Sequence, residues 1–281
     1  MSSKEPGPNK RNLDISYTRL SPSSNLNGED PPHPIIFLHG LSTCRLEFSK
    51  ITPFLLDKYD LILIDLPGHS ESRDILPFTL SNAVDAISHL ISTKITGGKA
   101  HIVGMSLGGV VGLEVARRHP DLVLSLFCTG CAPLRGFRKF FISRPRLMGS
   151  IEALGGMLST ESMFWGPIGV EPFPELRKEM RRNYSKETLR EGYAACIEMT
   201  VERIAEIRGV RVAIVAGGRR DDVEQTREAG KVLARTNEEC KGFVVRKAVH
   251  LWDLQLPELF ANGVMAWVEG SEMPQEFELL T

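Results

Sequence analysis

Ser106 stands at the centre of Gly104-Met105-Ser106-Leu107-Gly108, after the short run His101-Ile102-Val103 and before a stretch of helical character, Val110 to Arg118. A serine held on so tight a turn brings the residues two before and two after it together, so both flanking positions must lack a Cβ. The five residues alone also fit an ordinary turn with serine near a helix N-cap. Three further strand-like runs, however, end in residues suited to the same reaction. Val210 to Ala216 leads into Gly217-Gly218-Arg219-Arg220-Asp221-Asp222, which offers a carboxylate. Phe243-Val244-Val245 is followed by Val249-His250-Leu251, which offers an imidazole, and Pro34 to Leu38 runs into His39-Gly40-Leu41. Serine is a weak nucleophile until a base takes its proton, and an imidazole with a near-neutral pKa can take that proton and return it to a leaving group. A carboxylate fixes the imidazole's tautomer and stabilises the imidazolium. The chemistry this set suits is acyl transfer.

These residues need a sheet whose strands end on one edge. Pro34 to Leu38 is wholly apolar, the pattern of a central parallel strand, and Leu61-Ile62-Leu63-Ile64-Asp65 repeats it before Leu66-Pro67-Gly68-His69-Ser70. Helical spacing covers Leu46 to Lys58 and Leu80 to Ser92, and Leu122 to Cys128 is a further strand. Strand and helix alternate until about Ala132, lapse into a helical, partly polar segment up to Ile207, and resume with a strand at Val210 to Ala216. A helix over Asp222 to Ala234, the strand at Phe243 and a last helix over Leu256 to Val268 complete the pattern. It predicts an α/β fold with a mostly parallel central sheet and helices on both faces. The expected division is an N-terminal tail and edge strand (1–30), a core in two parts (31–131 and 208–270), a helical insertion (132–207) and a C-terminal tail (271–281). Active sites in such sheets lie outside the carboxyl ends of the strands, where the four polar residues fall.

The pieces Ile36-Phe37-Leu38-His39-Gly40, Asp65-Leu66-Pro67-Gly68-His69, Gly104 to Gly108, Gly218-x-x-Asp221 and His250 with Leu256 to Phe260 resemble the α/β-hydrolase superfamily, in its serine-nucleophile subgroup with a helical cap. The resemblance spans about residues 30–270, and the order Ser, Asp, His is that of its catalytic triad. It implies that Ser106 is the nucleophile, His250 the base and Asp221 the orienting acid, with Asp222 the N-cap of the next helix. It also implies an oxyanion hole made of the Leu41 and Leu107 amides, where a single donor is typically worth roughly 2.7–4 kcal/mol of barrier. His39, Gly40, Gly104 and Gly108 are then supporting residues, and residues 132–207 form a cap that roofs the pocket. The sequence departs from the family pattern at Ser70, where a second glycine is common, which touches only a surface turn. A serine nucleophile argues against the dehalogenase and epoxide-hydrolase branches, which attack with aspartate.

Candidate pocket residues are Met105, Phe140, Phe141, Met163, Phe164, Trp165 and Trp252, although Phe140, Phe141, Met163, Phe164 and Trp165 also suit the core of the cap, and Trp252 suits packing under a loop. His69 reads as a loop residue, His101 and His119 as structural, and Asp253 as a helix cap. Arg135, Arg138, Lys139, Arg144 and Arg146 form a basic run that suits a solvated face or a carrier protein's phosphopantetheine arm. With 34 basic and 35 acidic residues and net charge −1, nothing recommends nucleic acid as a partner. Five cysteines argue against a disulfide framework, and Cys128-Thr129-Gly130-Cys131 lacks the second half of a zinc site. No metal or organic cofactor is implied. The polar N-terminus lacks a secretion signal and no apolar run spans a bilayer, so a cytoplasmic protein with no membrane partner is expected.

The expected function is hydrolysis of a carboxyl ester, thioester or lactone through an acyl-enzyme. The substrate is a small apolar or polyketide-like acyl compound, or a carrier-protein-bound thioester. Two other classes stay open on sequence: a non-hydrolytic enzyme of the same fold (C–C cleavage, cyclisation or lyase chemistry) and a non-catalytic ligand receptor.

Overall fold

The computed structural model describes residues 13–22, 33–136, 140, 142–144, 150, 154 and 159–280. Its strands are β1 (Tyr17–Leu20), β2 (Ile35–Leu38), β3 (Leu61–Ile64), β4 (Ala100–Met105), β5 (Val123–Thr129), β6 (Arg211–Gly217), β7 (Lys241–Val245) and β8 (Glu278–Leu279). They form one sheet in the order β1-β3-β2-β4-β5-β6-β7-β8. The six inner strands are parallel to their neighbours, and β1 and β8 pair antiparallel at the two edges. This is the α/β-hydrolase fold.

Alternating residues of the apolar strands feed two cores. Ile36, Leu38, Ile62, Ile64, Ile102 and Leu126 face the helices α2 (Leu80–Lys94), α3 (Leu107–Arg118) and α8 (Val223–Ala234). Ile35, Phe37, Leu61, Leu63, Val103 and Phe127 face the opposite layer, which includes a 3-10 helix (Arg45–Lys50), α9 (Trp252–Gln255) and α10 (Pro257–Glu269). Burying such a side chain completely is worth about 1.5–3 kcal/mol, so strands apolar on both faces go to the middle of the sheet. The chain turns to one side of β2 to make β3 and to the other to make β4. The crevice at the carboxyl ends of β2 and β4 is therefore the topological switch point, where ligands bind in open sheets.

Between β5 and β6 lie α4 (Glu161–Ile168), α5 (Pro174–Asn183), α6 (Lys186–Glu198) and α7 (Val201–Ile204). Threonine or serine side chains at 160, 185 and 200 cap three of these helices. This insertion, called the cap below, packs Trp165, Leu176 and Met180 against Val249, Leu254 and Cys44 of the core.

Three expectations change. The helix predicted over 46–58 is two pieces, the 3-10 helix and α1 (Thr52–Leu55), because Pro53 cannot donate to the preceding turn and starts a new one. The edge strand expected within residues 1–30 is confined, among the described residues, to Tyr17–Leu20. The C-terminal tail adds an edge strand: the Leu280 N–H donates to the Gly242 carbonyl at 2.8 Å, and Phe277 and Leu280 are buried. Two spaced apolar residues suffice to anchor that short strand against β7.

Candidate active site

The turn after β4 is as tight as its sequence requires. A Cβ on Gly104 would lie 2.6 Å from the Gly108 carbonyl oxygen, and one on Gly108 would lie 1.9 Å from that of Leu38. Ser106 takes φ +50°, a left-handed value that an L-residue holds only when its surroundings impose it, and its N–H donates to Thr129 O at 2.8 Å. α3 starts at the next residue, Leu107, so the positive end of its dipole lies beside the serine.

Asp221 and His250 arrive from the turns after β6 and β7. His250 Nδ1 lies 2.5 Å from Asp221 Oδ1, and the other carboxylate oxygen accepts the Gly217 N–H at 2.7 Å. A carboxylate can only accept here, so Nδ1 carries the proton and the imidazole lone pair sits on Nε2. Asp222 accepts the Gln225 N–H at 3.1 Å as the N-cap of α8. The two adjacent aspartates thus have different partners.

Residues 39–43 form the facing loop. Gly40 lies against the serine, since a Cβ there would be 3.6 Å from Ser106 Cβ. His39 is fully buried; its Nε2 accepts the Leu66 N–H at 2.9 Å and its Nδ1 donates to Gly40 O at 2.8 Å. Burial lowers its pKa to about 3, so it stays neutral. His69 is not a simple loop residue. It too is buried and neutral, its pKa lowered to about 4 by burial, and its Nε2 accepts the Ser42 N–H at 3.2 Å.

Ser106, Asp221, His250, Gly40 and Leu41 share one cavity of about 450 Å³. The cap supplies Met180, Tyr184, Tyr193 and Cys196 to its wall, and Ile142 and Leu251 close further sides. Most of the predicted pocket residues are elsewhere. Met105 follows Gly104 in the strand, so the two-residue period turns it to the opposite core. Trp252 is buried in that same core, with its indole N–H on Thr129 Oγ1 at 2.9 Å. Trp165 and Phe164 pack edge to face at 4.9 Å within the cap, where Trp165 donates to Glu161 at 2.7 Å. Phe140 and Met163 are more than half exposed. Phe141, Arg138, Lys139 and Arg146 lie outside the described residues. Trp165 and Phe164 seat the cap on the core, and the cap residues that line the cavity are Met180, Tyr184, Tyr193 and Cys196 instead.

Sequence reading missed Glu47, Asn183 and the setting of Asp253. Glu47 is fully buried; its Oε2 accepts the Gly40 N–H at 2.7 Å and the Thr43 hydroxyl at 2.6 Å. Burial raises its carboxyl to about 7, against the pull of those two donors and of His250. Asp253 is no cap: it lies buried inside α9, and burial, followed by the nearby Glu47, holds it well above the usual carboxylate range. The available signal for Glu47 was its i, i+3, i+4, i+7 spacing with Cys44, Phe48 and Ile51, all of which are buried. Among the described residues no group of three metal-ligating side chains gathers, and no helix is long and apolar enough to cross a membrane.

A family model described as the alpha/beta hydrolase fold matches residues 33–149. An AB hydrolase superfamily protein of Gibberella zeae is 28% identical over 263 residues, covering 92% of this chain and 86% of its own length. A pimeloyl-(acyl-carrier protein) methyl ester esterase of Neisseria meningitidis is 27% identical over 257 residues, covering 86% of this chain and 95% of the relative. Among solved structures, MenH from S. aureus superposes with a TM-score of 0.69 at 17% identity, over 90% of this chain and 98% of that one. A thermophilic esterase from Thermogutta terrifontis gives the same score at 18% identity, over 91% and 93%. At these identities the solved structures speak for the fold alone.

Proposed function

The chain belongs to the α/β-hydrolase superfamily, and from that premise we propose that it is a serine hydrolase that cleaves a carboxyl ester or thioester of a small, largely apolar acyl compound. The observation that carries the reading is one cavity holding Ser106 on a strained turn together with a His250 imidazole tied to Asp221 at 2.5 Å. His250 Nε2 takes the Ser106 proton as Oγ bonds to the substrate carbonyl carbon, and Asp221 accepts from Nδ1 and stabilises the imidazolium. The negative charge on the former carbonyl oxygen is met by the amides of Leu41 and Leu107. The tetrahedral species collapses, its alcohol or thiol leaves with the proton from His250, and Ser106 keeps the acyl group. Water, deprotonated by His250, then attacks that ester, releasing the acid and restoring the serine.

Leu41, Val110, Leu134, Ile142 and Met180 in the cavity wall favour an apolar acyl chain. The Neisseria relative, an esterase of a carrier-protein-bound acyl methyl ester, supports the carrier-bound acyl group as a second substrate form. The test is mass spectrometry of the intact protein with p-nitrophenyl esters of increasing chain length, with release followed in parallel. A burst accompanied by a transient acyl adduct, both absent in Ser106→Ala, is expected. A folded protein with neither adduct nor release overturns the reading, as does full turnover by the alanine variant.

A further inference from the structure

The loop from Gly40 to Thr43 is gripped from two sides, and one grip comes from the cap. On the core side Glu47 holds the Gly40 N–H and the Thr43 hydroxyl. On the other side stands Asn183, the last residue of α5, 5% exposed. Its Nδ2 donates to Thr43 O at 2.8 Å, Ser42 O at 3.3 Å and Ser70 Oγ at 3.0 Å, and its Oδ1 accepts the Ser70 N–H at 2.8 Å. Ser70 in turn donates its hydroxyl to Glu179, one helical turn earlier in α5, at 3.0 Å.

The two loops that meet on this carboxamide are both strained. Ser42 has φ +67° and Ser70 has φ +41°, values a serine keeps only while its surroundings impose them. The partners also dictate the residue type. Two carbonyl oxygens need a donor and a backbone N–H needs an acceptor, at the spacing of one short amide. Aspartate would set oxygen against oxygen, and alanine would leave the buried groups without partners. A second contact lies on the next cap helix. Gly192 in α6 packs on Leu41, where an added Cβ would come 2.4 Å from Leu41 Cδ1. Between them, two cap helices bracket the Leu41–Thr43 segment, whose first amide is the one assigned to the oxyanion.

We propose that Asn183 is a positioning residue: it aims the Leu41 amide, so the oxyanion hole is complete only while the cap is seated on the loop. The proposal rests on the serine-hydrolase reading above. An oxyanion donor acts only when it sits within hydrogen-bond reach of the developing charge, so slackening this loop lowers the chemical step rather than substrate binding. The cap then contributes to catalysis through the loop as well as walling the cavity.

The test compares Asn183→Ala, Asn183→Asp and Gly192→Ala with the parent chain, each checked for folding by its thermal midpoint. With a p-nitrophenyl ester, kcat is expected to fall by about 10- to 100-fold with KM moved less than about 3-fold, somewhat less than removal of an oxyanion donor outright. Affinity for a trifluoromethyl ketone, which adds the Ser106 oxygen and becomes an oxyanion, should fall by the same factor. Affinity for the unfluorinated ketone should hold. Amide hydrogen exchange in the peptide 38–46 should rise, a readout that needs no turnover. Unchanged kcat with a raised KM, equal losses for both ketones, or unchanged exchange in 38–46 overturns the proposal. If Asn183→Ala does not fold, the same readouts on Gly192→Ala, which leaves the carboxamide in place, decide it. A parent chain that turns over no ester overturns the hydrolase reading, and the exchange measurement still decides whether cap and loop are coupled.

Discussion

The strand ends of the core and the helices of the cap face each other across one cavity, but they are built by different means. At the strand ends, backbone geometry leaves almost no choice. The Ser106 turn closes so tightly that a methyl group on either flanking glycine meets a carbonyl, and Asp221 has both a ring N–H and a backbone N–H to hold. The cap is set on the core by an apolar cluster around Trp165, by Ala195, Met199 and Ile204 buried in the core beside α3, and by scattered polar contacts, Asn183 and Glu179 among them and Glu191 on the Phe78 N–H at 2.9 Å. The proposed triad groups, which must be placed to a fraction of an ångström, follow strands of the sheet, and the cap adds part of the cavity wall together with the Asn183 contact to the facing loop.

The largest expected effect tests the rigid side, at two adjacent residues of the same turn. Asp221→Asn keeps the shape but can donate where it must accept, so the imidazole is held in the wrong tautomer. A fall in kcat of about 10⁴-fold is expected, by analogy with triads in which that exchange has been made. Asp222→Ala removes the cap of α8 and a carboxylate from the cavity wall but leaves the His250–Asp221 pair in place, and it should cost about 1 kcal/mol of stability with kcat unchanged within about twofold. Steady-state kinetics and urea unfolding on both variants separate the roles. A large kcat loss at Asp222 with a small one at Asp221 would reverse them.

The same contrast explains what the amino-acid sequence reveals. The parallel strands were legible because an unbroken apolar run has one stable location, and the Ser106 turn because its steric demand is met within five residues. The cap's wall was not. Phe164, Trp165 and Met163 look like pocket residues by type, but a helix shows its inward face only once its neighbours are known, and these three went to the cap's core or its surface. Asn183 sits after Arg181-Arg182 and reads as solvent-exposed; its partner Thr43 is 140 residues away. Glu47 was hidden for a related reason, since its partners, the Gly40 N–H and the Thr43 hydroxyl, lie in a loop whose path the sequence does not reveal. The short C-terminal strand exists only because β7 offers it an edge.

Glu47 gives a second, intermediate prediction, again on the core side. Its carboxyl keeps its proton up to about pH 7 in the folded protein, against 4.5 for the ordinary side chain. Below pH 4.5 both states are protonated and this group adds no pH dependence. As pH rises from 4.5 towards 7 the unfolded chain sheds the proton while the folded one retains it, so stability falls across that window and levels off above it. The shift corresponds to about 3 kcal/mol. Glu47→Gln cannot titrate, so relative to the parent it should gain by about that amount between pH 4.5 and 8 in urea unfolding. Parallel stability curves for the two proteins would mean that Glu47 is ionised in the fold.

The smallest expected effect belongs to the cap, and its form matters more than its size. Met180 contributes to the cavity wall while packing in the cluster that seats the cap. Met180→Ala opens room for added methylenes without touching the Ser106 turn or the His250–Asp221 pair. One methylene in an apolar pocket is worth about 1–3 kcal/mol, so kcat/KM for esters two carbons beyond the parent's optimum should rise about tenfold relative to short ones. Because this is a ratio between substrates on one preparation, loss of some folded protein does not affect it. A uniform fall over all chain lengths would place Met180 with the positioning machinery, alongside Asn183. The part of the cap that sets the rate of the chemical step would then extend from Asn183 to the cavity wall, and the division between core and cap would be one of construction only.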